Sequence, residues 1–300
     1  MVKLRKWISA ARLRTLPLSV SGIIVGSSAA FNQQAFDWTV FILAICTTIS
    51  FQILSNFAND YGDGVKGTDN DNRVGPKRAI QSGTITSPQM KKGITITIVI
   101  TLLLTIALIY KAFGSENVFY IALFFILGLI SIAAAIKYTM GTTAYGYYGY
   151  GDIFVFLFFG LLSVVGSYFL YTKQINWFVF LPACTVGMMS TAVLNLNNMR
   201  DIENDKIVNK NTLVVKMGAS LAKYYHYYLL VGAFFFAIMY FIFKYEKPVN
   251  FLFIFAFIPI ALHIRKVFHI TEPTNFDPEL KKVALSIFLF SVLFAIGQIL

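Results

Sequence analysis

Two stretches of this 300-residue chain concentrate carboxylates and amides at the ends of apolar segments. In the first, SNFANDYGDGVKGTDNDNR, the spacing of Asn56, Asn59, Asp60 and Asp63 puts all four on one helical face, and Asp69 and Asp71 follow. In the second, LNLNNMRDIENDKIVNKNT, Asn198, Asp201 and Asp205 repeat that spacing, with Asn197 and Asn209 four residues from Asp201 and Asp205. Carboxylates aligned on one face repel one another, so something positive must compensate. A hard divalent cation suits such oxygen donors, and Mg2+ typically takes one or two carboxylates and fills its octahedron with water and phosphate oxygens. Two clusters on two helices could hold a diphosphate between them through two Mg2+ ions. One cluster alone would read as a helix end fraying into water. Two in equivalent places, each followed by basic residues, favour the metal.

The elements that position these clusters are hydrophobic helices. The chain is 57% apolar, 16% aromatic and 13% charged, with a mean hydropathy of +0.68. Soluble domains carry about twice that charge, so soluble, disordered, collagenous and disulfide-scaffold classes are excluded. A hydrocarbon core needs roughly 17–25 apolar helical residues, and nine segments qualify: 16–35, 38–59, 93–112, 118–137, 152–171, 176–198, 223–243, 248–265 and 282–300. The eighth, with Pro259, is the weakest. The N-terminal segment MVKLRKWISAARLRTLP is basic without a cleavable signal pattern and is read as part of the mature protein. Cys46 and Cys184 lie far apart in hydrophobic segments and read as small buried apolar side chains.

The net charge of +11 reads as topology rather than nucleic-acid binding, because the aromatics lie in apolar runs and not among the basic residues. With a cytoplasmic N-terminus, only Lys111, Lys173, Lys244 and Lys247 of the 25 Lys and Arg residues fall on the outer side. Of the 14 acids, only Asp37, Glu116 and Glu246 join them. The long polar loops after the second and sixth segments are cytoplasmic, so any chemistry belongs there. The recurrence of an acidic tip on the second helix of each set of four suggests an internal repeat. The expected fold is an all-α polytopic membrane protein: a single domain over 1–300, with halves at about 10–137 and 152–265, plus a ninth helix at about 282–300. The two halves face one another, and the acidic tips meet across a shared hollow.

The motifs resemble a known superfamily. NDYGD at 59–63 with GVKGTD at 64–69, and NNMRDIENDKIVNKNTL at 197–213, resemble the two Asp-rich motifs of the UbiA-type intramembrane prenyltransferases. AARLRTLPLSVSGIIVG at 10–26, LSNFANDYGD at 54–63, RVGPKR at 73–78 and YGYYGYGDIFVFLFFG at 145–160 resemble the branch that prenylates 1,4-dihydroxy-2-naphthoate in menaquinone synthesis. The resemblance implies nine helices around a central cavity open laterally to lipid, in a bacterial cell membrane. It implies Mg2+-dependent transfer of a polyprenyl group from its diphosphate to the aromatic acceptor, with loss of the ring carboxylate as CO2. Asn59, Asp63, Asp201 and Asp205 then correspond to metal ligands, with Asp60 beside them. Lys66, Arg73, Arg78 and Lys210 correspond to diphosphate-neutralising positions, with Arg200 a weaker one. Where the superfamily has a third acid four residues after Asp63, this chain has Gly67, and Asp69 is the substitute. The turn usually written GKxT reads Asn209-Lys210-Asn211-Thr212.

An allylic cation needs a wall that stabilises charge without a lone pair to trap it, which aromatic faces provide. Tyr138, Tyr145, Tyr147 and Tyr148 lie on the appropriate side; their other reading is as interfacial anchors in a flexible loop at headgroup depth. Asp152 either orients or deprotonates the acceptor hydroxyl, or is an ordinary acid at a helix N-terminus. His226, His263 and His269 show no ligand spacing and read as interfacial residues. The competing functions are prenyl transfer to 4-hydroxybenzoate and, from another class, ion-coupled transport. A transporter would carry its acids near the midplane rather than at one face.

Overall fold

The computed structural model describes residues 2–31 and 33–300. Met1 of the N-terminal segment and Asn32 of the first predicted span lie outside the described residues. Among those described, every regular element is helical and nine helices are long and apolar enough to cross a membrane. They are α1 (Leu4–Phe31), α2 (Trp38–Lys66), α3 (Ser87–Phe113), α4 (Val118–Lys137), α5 (Gly151–Thr172), α6 (Trp177–Arg200), α7 (Leu213–Lys244), α8 (Pro248–Phe268) and α9 (Pro273–Ile299). The nine match the sequence reading in number and order, but α1, α3, α7 and α9 begin earlier. Hydropathy finds only the part in hydrocarbon, whereas backbone hydrogen bonding carries a helix on into the polar boundary. The early start of α3 is fixed by a capping box, in which Thr86 and Gln89 exchange side-chain to backbone bonds.

α6 is the central helix, with 67% of its most apolar window buried against 17% for α4. It packs on α5, α7 and α9, while α1 packs on α2, α5 and α9 and α2 on α3 and α4. The close approach of α1 to α5 depends on Gly22 and Gly26, whose absent side chains leave room for Ser163, Ser167 and the Val164 carbonyl. α5 and α6 meet through Gly160 and Gly187 in the same way. The resulting ring of α1–α6 and α9 surrounds a cavity, and no residue of α7 or α8 lines it. The ninth helix therefore closes the ring, and α7 and α8 back it from outside.

Three sequence readings are corrected here. His226 and His263 are fully buried, with their Nε2 atoms 2.8 Å apart, and His263 Nδ1 lies 2.7 Å from Glu279 Oε2. They form a polar tie between α7, α8 and α9, not an interfacial pair; only tertiary contact reveals it. Cys46 is exposed on the outer face of α2 and Cys184 is only half-buried. The tyrosine-rich run is not a free loop: a short 3-10 turn, Tyr145–Tyr148, is tied by Gly146 N to Tyr138 O, Asn211 N to Tyr147 O and Lys216 Nζ to Tyr148 O.

Candidate active site

The cavity has a volume of about 760 Å³ and grades from polar at the end bearing the acidic motifs to apolar deep between the helices. Gly67 helps to build the polar end. It terminates α2 in the left-handed region, at φ 72, where its N–H and that of Thr68 cap the Asp63 carbonyl. An acid at position 67 would be strained there. The reversal brings Asp69 back beside Asp63, which accounts for the displaced third acid. α6 ends at Arg200, and Asp201 is the corner from which a short helix, Ile202–Ile207, carries Asp205. The second acidic motif is thus bent over two helices, not laid along one.

The two motifs meet. Lys210 Nζ lies 3.7 Å from Asp63 Oδ2 and 3.9 Å from Asp205 Oδ1. Arg73 Nε lies 3.2 Å from Asp69 Oδ1, and its Nη2 3.6 Å from Asp201 Oδ2. Each cation spans one carboxylate from each motif. Asn204 Nδ2 donates to Thr68 O at 2.9 Å, and Tyr147 OH donates to Asp63 Oδ1 at 2.7 Å, so the Tyr147 oxygen accepts from Thr68. Burial pushes the Asp205 carboxyl up to about 7 and also raises Asp69, where Asp63 adds to the effect. Burial acts likewise on Asp201, but the Arg200 hydrogen bonds outweigh it and hold that carboxyl below its ordinary range. Burial opposes the Lys210 charge, yet Asp63 and Asp205 prevail and lift it.

The sequence-selected residues divide sharply. Asn59, Asp63, Asp69, Asp201, Asp205, Arg73, Arg78, Lys210, Tyr138 and Tyr145 line the cavity, whereas Asp60, Lys66, Tyr148, Asp152 and Arg200 do not. Asp60 accepts the Ala79 and Ile80 N–H groups at 3.0 and 3.1 Å and anchors the loop above. Lys66 sits over the Tyr147 ring, 4.0 Å from its centre. Tyr148 is exposed. Asp152 is buried at the start of α5, where Thr191 Oγ1 approaches its backbone carbonyl at 3.5 Å. Arg200 is fully buried behind Asp201, which it grips at 3.0 and 2.7 Å, and it reaches Asp277 on α9.

Other lining residues were not selected from sequence. Arg12 occupies the break between the first turns of α1 and the membrane helix, at φ 51, with Asp60, Asp69 and Asp63 in electrostatic reach. Its basic character had been spent on topology, although its place at the head of a membrane helix was a usable signal. Phe154 and Phe158 extend the tyrosines into an aromatic ladder. Tyr138 meets Tyr145 edge-on at 5.3 Å, Tyr145 stacks on Phe154 at 3.9 Å, and Phe158 follows at 6.1 Å. A seven-residue π-helix, Phe156–Leu162, widens α5 at this level.

The residues suit a hard cation with a phosphate-bearing anion. Asp69 Oδ2 and Arg78 Nε are buried without a hydrogen-bond partner, leaving one acceptor and one donor open. Among the described residues no three Asp, Glu, His or Cys side chains converge as a closed metal cage. A cation here would complete its coordination from amides, water and phosphate, as Mg2+ prefers.

The chain is similar to known proteins over nearly its whole length. A model of the UbiA prenyltransferase family matches residues 19–292. The 1,4-dihydroxy-2-naphthoate octaprenyltransferase of Haemophilus influenzae is 41% identical, over 99% of this chain and 97% of its own. That of Escherichia coli is 42% identical, over 97% and 94%. The solved structure of a UbiA homolog from Archaeoglobus fulgidus bound to GPP and Mg2+ superposes with a TM-score of 0.62 at 14% identity, over 96% of this chain and 99% of that one. A digeranylgeranylglyceryl phosphate synthase gives 0.63 at 18%, over 100% and 99%.

Proposed function

The chain belongs to the UbiA prenyltransferase family, and from that premise we propose that it transfers a polyprenyl group from polyprenyl diphosphate to 1,4-dihydroxy-2-naphthoate. The new bond joins the allylic carbon to the ring carbon bearing the carboxylate. The C–O bond to diphosphate breaks, and the ring recovers its electron pair as CO2 departs. Demethylmenaquinol and diphosphate are the other products. Family membership sets ion-coupled transport aside, and the naming of both bacterial relatives favours the naphthoate over 4-hydroxybenzoate.

The observation that carries the reading is the bridging of both acidic motifs by Lys210 and Arg73 at the head of an apolar cavity. Asn59, Asp63, Asp69, Asp201 and Asp205 would hold Mg2+, with two ions for the two motifs. When bound, Mg2+ neutralises the charge that accumulates on the departing diphosphate. Lys210, Arg73, Arg78 and Arg12 serve the same end from the protein side. A unit charge about 4 Å away is worth roughly 4 kcal/mol at an effective dielectric of 20. Asp60 and Arg200 act from behind, one holding the loop and the other Asp201. Tyr138, Tyr145, Phe154 and Phe158 face the allylic carbon with π-clouds that stabilise positive charge and do not alkylate. The prenyl tail continues along the apolar lining from Leu108, Phe124 and Leu127 to Leu162. The charge asymmetry supports a cytoplasmic N-terminus, with the motifs on that face of a bacterial membrane.

The test is incubation of purified protein with Mg2+, a polyprenyl diphosphate and dihydroxynaphthoate, followed by mass spectrometry. A prenylated product lacking the carboxylate is expected. A product retaining it, or none without any diphosphate release, refutes the assignment.

A further inference from the structure

A second hollow, of about 350 Å³, opens on the acidic-motif side between the first turns of α1 and the loop before α3. Arg5, Lys6, Ser9, Lys77, Arg78, Ala79, Ser82 and Thr84 line it, and no carboxylate does. Arg5, Lys6 and Lys77 enter no ion pair among the described residues, whereas Arg78 is paired on its other side with Asp69, Nε to Oδ1 at 4.0 Å. Arg5, Lys6 and Lys77 thus bring three unpaired positive charges to one small volume beside Arg78, and an anion between them offsets their mutual repulsion.

Three features make this a built site and not a loose basic tail. The helix Val2–Ala11 is amphipathic: Leu4 and Ile8 are exposed on its outside, while Arg5 and Lys6 face the hollow. It is fixed in place by Trp7, whose ring meets Phe57 at 5.3 Å and occupies the space left open at Gly93. The opposite wall is fixed by Asp60 through the Ala79 and Ile80 N–H groups. At the back stands Arg78, which lines this hollow and the reaction cavity alike and whose buried Nε has no hydrogen-bond partner. One guanidinium thus separates the two spaces.

We propose that this hollow is a second anion site, binding a phosphate group at the mouth of the reaction cavity. Phosphate oxygens match the donors present, and charge-assisted bonds to Arg and Lys are the strong ones. Two sources carry that chemistry. The exposed Leu4 and Ile8 set the hollow at headgroup depth, where an anionic phospholipid offers a phosphate. Past Arg78 lies the diphosphate released by the reaction; this source rests on the function proposed above, whereas the hollow itself does not.

The test compares the wild-type protein with the triple variant Arg5→Gln, Lys6→Gln, Lys77→Gln, none of which lines the reaction cavity. In one arm, native mass spectrometry of detergent-solubilised protein scores retained phosphatidylglycerol against phosphatidylcholine. In the other, Trp7 fluorescence is titrated with inorganic diphosphate against a background of Trp38→Phe and Trp177→Phe. Loss of three charge-assisted contacts is expected to weaken one arm by about tenfold or more. Selective loss of phosphatidylglycerol identifies the lipid as source, and selective loss of diphosphate affinity the free anion. Unchanged behaviour in both arms overturns the proposal. If the triple variant melts early, Lys77→Gln alone, in the exposed loop, is read by the same criteria. A naphthoate product formed normally alongside a failure in both arms would reject this site and leave the reaction intact.

Discussion

Arg200 distinguishes a residue that touches the diphosphate from one that shapes its surroundings. From sequence it was a candidate phosphate ligand. In the fold its side chain is 1% exposed and turned from the cavity, with Nε and Nη2 forked on Asp201, Nη2 also on Asn197 Oδ1 at 2.8 Å, and Nη1 on Asp277. Lys keeps the charge but has one donor group in place of a planar fork, so it cannot serve Asp201 in two places and also reach Asp277. Breaking a buried pair costs about 3–5 kcal/mol. Asp277 is 40% exposed and can recover water, so the lower end, about 3 kcal/mol, is expected for Arg200→Lys. Asp277→Asn removes only the outer arm and should cost about 1 kcal/mol. With Asp201 holding the metal as proposed, loss of the support behind it should lower kcat by about 10–100-fold. The assay pairs thermal unfolding in detergent with steady-state kinetics. A ligand of the diphosphate would behave otherwise, because Arg200→Lys would raise KM for the donor and leave stability unchanged. That outcome, or a fully active and stable Arg200→Lys enzyme, would refute the positioning argument.

Asp63→Ala and Asp205→Ala should each abolish turnover while circular dichroism and gel filtration stay as in wild type; near-normal activity of both would remove the metal assignment. Lys210→Gln should lower kcat by about 10²–10³-fold, the scale of losing one preorganised stabiliser of developing charge, checked by single-turnover kinetics at saturating donor. Gly26→Val should destabilise the α1–α5 contact by at least about 1–3 kcal/mol, since the added carbons meet the Val164 carbonyl as well as Ser167; thermal unfolding measures it. Glu279→Gln removes the charge shared by His263, Lys266 and Lys282 and should cost about 2–3 kcal/mol, with the two lysines relaxing into water.

Hydropathy was enough to determine nine spans and their order, because each depends on local composition along one helix. The acidic motifs were legible for the same reason: the spacing of Asn59 with Asp63 is a property of a single helical segment. What one helix cannot specify is which neighbour each of its faces meets. Asp60 and Asp63 share the α2 tip, yet one secures a loop and the other faces Lys210, and no periodicity separates them. Arg12, counted in the sequence only toward topology, lines the cavity and Arg200, a candidate phosphate ligand, does not, because charge is countable in sequence whereas direction is not. The His226–His263–Glu279 tie draws on three helices scattered over more than fifty residues, so its burial existed only once α7, α8 and α9 had packed. Composition decided that the chain enters a membrane; the crossing of its helices decided which polar groups converge and which merely hold the others in place.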